Sequence, residues 1–367
     1  MQAQADSRHH PIRVYIGTYT GPKSQGIYYA QFDADTGELS SPELAVGTAS
    51  PSFLAVHPSN RFLYAVGETG NLRGKGMGSV SAFGIDPQSG RLRLLNECSS
   101  GGGGPCHLAL DRRGECVLVA NYGSGAIAVL PVQRDGLLAE ASAIIQHSGS
   151  SVDPQRQTGP HAHYITADPG NRFALACDLG LDQVLVYGLD AAKGTLQPHT
   201  PAFVPIRAGS GPRHLVFHPS GRYVYLINEM AATLTGFAYD AKTGRLQELQ
   251  TVSTLPLGYT GAKSCAEVQI HPSGRFLYGS NRGLDSIAIF AVDSRSGKLT
   301  PLGYESTLGK TPRHFAIDPT GKWLLAENQD SDSIVVFRLD PKSGRLTPAG
   351  QSVAVPCPVC AVFVPMK

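Results

Sequence analysis

Apolar runs of five to eight residues, rich in Val, Ile, Tyr and Phe, alternate along the whole chain with clusters of Gly, Pro, Asn and Asp. That is the pattern of short β-strands joined by tight turns. The turns repeat. One motif recurs as AVHPSNRFLYAV, ALDRRGECVLVA, TADPGNRFALAC, VFHPSGRYVYLI, QIHPSGRFLYGS and AIDPTGKWLLAE, with turn residues Asn60, Gly114, Asn171, Gly221, Gly274 and Gly321 spaced by 54, 57, 50, 53 and 47. Gly and Asn suit a left-handed turn position. A second motif, DPKSGRL in its C-terminal copy, occurs seven times, with glycines at 37, 90, 136, 194, 244, 297 and 344. Another strand pair lies between the two turns, as in Tyr223–Ile227 followed by Leu234–Tyr239. Each period thus holds four short strands, the content of one propeller blade. The best helix candidate, Leu137–Gln146, stands where every other period has its fourth strand, and is read as strand.

The two ends fix the number of blades. First-strand segments begin at Pro51, Pro105, His161, Pro212, Cys265 and Pro312, and a seventh, PCPVCAVFVP, ends the chain. The N-terminal IRVYIGTYT matches a second strand with no first strand before it. The pattern predicts an all-β, seven-bladed β-propeller of four antiparallel strands per blade, closed by joining N- and C-terminal strands in one blade. Residues 1–11 read as a tail and 12–367 as one propeller domain.

Composition narrows the partners. Glycine and proline make up 68 of 367 residues, yet 41% of the chain is hydrophobic, which fits a globular, turn-rich protein. With 31 Lys and Arg against 29 Asp and Glu, no basic excess serves a phosphate backbone, so no nucleic acid is expected. No apolar run has membrane-spanning length, and the first residues lack a signal-peptide core. Seven scattered cysteines make no disulfide framework. The expectation is a cytoplasmic protein, monomeric or weakly self-associating, without membrane contact.

Aligning the seven innermost strands gives one ring of positions, Ser52, Cys106, His163, Arg213, Ala266, Arg313 and Val359. The next is Phe53, His107, Tyr164, His214, Glu267, His314 and Cys360, placed by strand alternation on the opposite face. Positions after the second strands include Tyr19, Glu68, Tyr122, Glu229 and Arg282, each preceded by a small or amide residue such as Asn281. Three adjacent blades depart from repeat similarity with His161, His163, Arg213, Glu229, Glu267 and Arg282. A histidine, an acid and several arginines at one channel mouth suit an anionic, carbonyl-bearing substrate.

Blander roles compete at several positions. His161 and His163 form a His-x-His on a strand, which is also a metal-ligand pattern, but no third ligand is fixed by the sequence. No metal and no cofactor are therefore expected. His107, His214 and His314 recur at one blade position and read as one structural hydrogen bond repeated. Arg213, Arg313, Glu229 and Glu267 could each bridge neighbouring blades. Cys357 and Cys360 point to opposite faces of a strand, and the glycine-rich run Gly74–Ser79 lacks the strand-to-helix context of a phosphate loop. The insertion at residues 147–159 either covers the mouth or is a tolerated surface loop.

PQRQTGPHAHYI, the GPRH at Gly211–His214, INEM at Ile227–Met230 and SNRG at Ser280–Gly283 resemble the seven-bladed propeller lactonase family. That family holds bacterial 6-phosphogluconolactonases and fungal carboxymuconate lactonizing enzymes, and the resemblance covers nearly the whole chain. It implies hydrolysis of a small anionic sugar lactone, foremost 6-phospho-D-glucono-1,5-lactone in the pentose phosphate pathway. It also implies catalytic roles for His163, Arg213, Glu229 and Arg282. Glu229 would serve as general base, His163 would polarise the carbonyl or protonate the ring oxygen, and the arginines would hold the oxyanion and the anionic tail. His161, Arg313, Glu267 and Asn281 are the expected substrate contacts. A muconate-type cycloisomerase running in the ring-closing direction and a non-catalytic propeller scaffold are the alternatives.

Overall fold

The structure, a computed structural model, describes residues 12–69 and 76–366. It contains seven four-stranded antiparallel sheets. The first is completed by the last strand, since Pro358–Pro365 lies beside Ile12–Thr18 with Ile12 opposite Pro365 and Ile16 opposite Ala361. Closure in one shared blade is therefore as expected. Ala143–Gln146 pairs with Ala126–Val129 as a fourth strand, so the helix-like segment Leu137–Gln146 holds no helix and is strand over its last four residues, with bends and an isolated bridge at Leu138 before them. Residues 1–11 and the start of the glycine-rich run at Gly74 lie outside the described residues. No helix among the described residues is long and apolar enough to cross a membrane.

The repeated turns work as their chemistry requires. Asn60 and Asn171 have φ of 57° and 55°, and Gly114, Gly221, Gly274 and Gly321 lie at 68–76°. The glycines of the second motif serve as contacts between blades. A Cβ on Gly136, Gly244, Gly297 or Gly344 would strike the ring of Phe62, Phe173, Tyr223 or Phe276 in the preceding blade. Gly37 meets Trp323 across the closure in the same way. Between these contacts lie seven buried apolar clusters, each made by two neighbouring blades. The core is thus a ring of interfaces around a channel.

In six blades the innermost strand carries a bulge at the first-ring residue. Pro212 pairs with Asn228 and His214 with Ile227, leaving Arg213 as the extra residue. The same slip occurs at Cys106, His163, Arg313 and Val359, and spans Ala266 and Glu267. This corrects the alternation argument. A bulge re-aims side chains, so two consecutive residues face the channel in successive layers. The second ring meets across the axis, with the Phe53 ring 5.8 Å from both His214 and His314. Stacked with His107 and Tyr164, these rings form a floor. Above it lies a cavity lined by Tyr19, Ser52, Glu68, Cys106, Arg213 and Arg313. Below it a separate cavity is lined by His107, Tyr164, Glu267 and Gln269.

Candidate active site

Four of the expected residues converge on the upper layer. Glu229 follows its blade's second strand, and its N–H donates to Gly211 O at 2.7 Å, next to the strand that carries Arg213. Its Oε2 accepts from Arg213 at 2.6 Å and lies 3.0 Å from the Arg282 guanidinium. Arg213 also donates to His163 Nε2 and, through Nε, to Ala266 O at 3.0 Å. It therefore bridges blades as well as facing the site. Arg282 donates to Cys265 O at 2.9 Å.

The charges settle one another. Burial raises the Glu229 carboxyl, but Arg213, Arg282, His163 and a hydrogen bond from Arg156 outweigh it and hold the group well below its ordinary value. Glu229 is an anion at neutral pH. Burial, with the Arg213 charge beside it, holds His163 well below the usual imidazole range. The neutral ring accepts at Nε2 and has Cys106 Sγ 3.7 Å from Nδ1. Burial and the neighbouring Arg213 also pull Arg282 down to about 10, still charged at neutral pH.

Arg156, from the insertion at residues 147–159, donates to Glu229 Oε1 at 2.9 Å and to Tyr122 Oη at 3.1 Å. The insertion thus reaches over the mouth. It is held by Gln157 Nε2 on Leu179 O and on Asp182 Oδ2, both at 2.8 Å, and by His147 on Asp178 at 2.7 Å. Arg156 was not among the expected residues, because an insertion outside the repeat has no register to place its side chains. Tyr122 stands in register at the end of its blade's second strand; its ring stacks on His161 at 4.4 Å and meets His163 edge-on at 5.3 Å.

The remaining expected contacts separate. His161 flanks the site, with Nδ1 2.8 Å from Tyr122 O, while the bulge turns His163 toward Arg213. The two imidazoles therefore have different partners. Arg313 lies across the channel over the Tyr19 ring, 5.3 Å from its centroid, and has no ion pair among the described residues. Tyr19 in turn donates to Glu68 at 3.0 Å. Asn281 does not face the cavity. Its amide is spent on Thr254 O at 2.8 Å and on the Thr254 hydroxyl at 2.8 Å, so it ties a loop to the strand end.

Glu267 lies one layer down, 2.8 Å from His214 Nδ1 and beside His314, which pairs with Glu327 at 2.7 Å. It lines the lower cavity, not the cavity above the floor. The three floor histidines also differ. His107 accepts at Nδ1 from Ile165 N of the next blade, whereas His314 and His214 turn Nδ1 to the carboxylates of Glu327 and Glu267. Burial pushes Glu267 up from 4.5 to about 7, against the charges of His314 and Arg213. A carboxyl raised on folding stabilises the fold fully below its unfolded value, and the contribution is lost as pH rises to the folded one. Denaturant unfolding of Glu267→Gln against wild type is therefore expected to show the variant gaining relative stability between about pH 4.5 and 7. A constant difference across that window would refute the assignment.

A family profile described as "Lactonase, 7-bladed beta-propeller" matches residues 13–363. The 6-phosphogluconolactonase of Bacillus subtilis is 37% identical over 349 residues, covering 95% of this chain and 97% of its own. The 6-phosphogluconolactonase of Formosa agariphila is 33% identical over 308 residues, 83% of this chain and 85% of its own. Among solved structures, the periplasmic gluconolactonase of Pseudomonas aeruginosa superposes with a TM-score of 0.91 at 37% identity, covering 97% of this chain and all of that one. With the blade count, the closure and the buried His–Arg–Glu cluster, these matches place the chain in the seven-bladed β-propeller lactonase family.

Proposed function

We propose that this lactonase hydrolyses a sugar lactone, with 6-phospho-D-glucono-1,5-lactone as the preferred substrate, and that His163, Arg213, Glu229 and Arg282 form its catalytic group. The observation that carries the reading is a buried carboxylate ringed by three guanidiniums, 2.6 to 3.0 Å away, at the mouth of a channel closed below. Family membership and the names of the relatives agree with it.

Hydrolysis needs an activated water, an oxyanion site and a proton for the ring oxygen. Glu229 takes a proton from the water as it attacks the acyl carbon. Arg213 and Arg282 donate to the carbonyl oxygen as it becomes anionic; such a donor is typically worth about 10²–10³ in rate. Glu229 then returns the proton to the ring oxygen as the C–O bond breaks, and the new acid ionises in water. His163, neutral and accepting from Arg213, holds that guanidinium in place. This differs from the two roles expected for it, polarising the carbonyl or protonating the ring oxygen. Arg313 and Arg156 are left for the phosphate. A cytoplasmic location suits seven cysteines, all free in the structure.

The test is turnover of purified protein on phosphorylated and plain aldonolactones, spontaneous hydrolysis subtracted, before and after exhaustive chelation. Preferential opening of 6-phosphogluconolactone at a rate unaltered by chelation is expected. Loss of activity restored by one divalent ion would make His161 and His163 ligands. No turnover on any lactone would leave the scaffold reading.

A further inference from the structure

Three guanidiniums hold Glu229, but they are not held alike. Arg213 and Arg282 have side chains 4% and 15% exposed, and each is also tied to a backbone carbonyl. Arg156 is 43% exposed, and its guanidinium binds only Glu229 and Tyr122 among the described residues. It alone can leave without stranding a buried charge. Its backbone is fixed, since its own N–H donates to Asp153 at 2.8 Å and the adjacent Gln157 is anchored on Leu179 and Asp182. Only the side chain is free to swing.

Arg156 also occupies the atom that matters. Oε2 of Glu229 is taken by the two buried arginines, whereas Oε1 accepts from Arg156 alone. While that bond stands, one of the two lone pairs of Oε1 is engaged and the Arg156 charge lowers the basicity of the carboxylate. Around the mouth four guanidiniums, Arg156, Arg213, Arg282 and Arg313, face two carboxylates, Glu229 and Glu68. The surplus positive charge favours an entering anion.

We propose that Arg156 is a substrate-operated latch, which keeps Glu229 occupied until the anionic group of a lactone takes its guanidinium. This rests on the reading of Glu229 as general base in lactone hydrolysis. A phosphate drawing Arg156 away binds and, in the same movement, frees Oε1 for the water. An uncharged lactone cannot make that exchange and meets an engaged base. Discrimination for the charged substrate is thereby moved into kcat as well as KM.

The experiment compares wild type, Arg156→Ala and Arg156→Lys on 6-phosphogluconolactone and glucono-1,5-lactone. In Arg156→Ala, kcat/KM for the phosphorylated lactone falls roughly 10- to 150-fold, the worth of one charge-assisted contact. In the same variant kcat for the plain lactone rises. The acid limb of its pH profile moves to higher pH, because Glu229 then faces only Arg213, Arg282 and His163. Arg156→Lys falls between. A merely structural role would lower both substrates together. Equal losses, or an unchanged preference, would overturn the latch. Calorimetric binding of 6-phosphogluconate and gluconate reads the same contact without turnover: loss of the phosphorylated product's advantage in Arg156→Ala supports it, and an undiminished advantage overturns it. Failure of wild type to open either lactone would refute the hydrolase reading, while the binding comparison would still decide whether Arg156 takes the phosphate.

Discussion

Glu229→Gln is expected to lower kcat by roughly 10²-fold or more, because the amide keeps the shape of the side chain and loses its basicity. The geometry adds two consequences. Arg213 and Arg282 would stay buried beside a neutral group, and removing one partner of a buried pair costs about 3–5 kcal/mol. The variant should therefore melt earlier, and its turnover must be measured below that new transition. The three guanidiniums would also lose their internal anion. Binding of 6-phosphogluconate should consequently tighten while catalysis collapses. Titration calorimetry alongside steady-state kinetics separates the two effects. Full activity in Glu229→Gln would leave no role for the carboxylate as base.

The other large effect concerns closure. Deleting the chain from Val355 onward removes Pro358–Pro365, which pairs with Ile12–Thr18 along its whole length. It also takes Val355, Cys360, Ala361 and Val364, all buried, out of the two interfaces beside the first blade. The exposed edge and the uncovered Val14 and Ile16 should make the product insoluble or abolish its cooperative unfolding. A truncated chain with the wild-type melting profile would refute closure by a shared blade.

The fold was legible because its constraints act locally. A left-handed turn demands Gly or Asn, and blade packing demands a glycine under an aromatic ring at five of the seven blade contacts, so both requirements recur along the chain. Glu229, Arg282, His163 and Arg213 were legible because the repeat register carries them to one end of the channel. Beyond register the reading weakened. Alternation placed the second ring on the opposite face, and the bulge overrides alternation, so Glu267 came out one layer away from the expected mouth. Asn281 occupies the right position, but its amide is consumed by Thr254. Arg156 belongs to an insertion with no counterpart in other blades, and only the folded chain brings it to Glu229.

The repeated bulge divides the labour of evolution within each of the six blades that carry it. Outside the bulged dipeptide the two innermost strands of these blades pair regularly, and the apolar interfaces are built mainly from side chains other than the channel-facing pair. A substitution within such a pair, as between Cys106 and Arg213 at equivalent first-ring places, alters what the channel offers to a ligand and leaves the pairing of the sheet untouched. Six blades supply six such cassettes around one axis. New substrate chemistry can therefore be sampled one cassette at a time, at little risk to the ring that presents it.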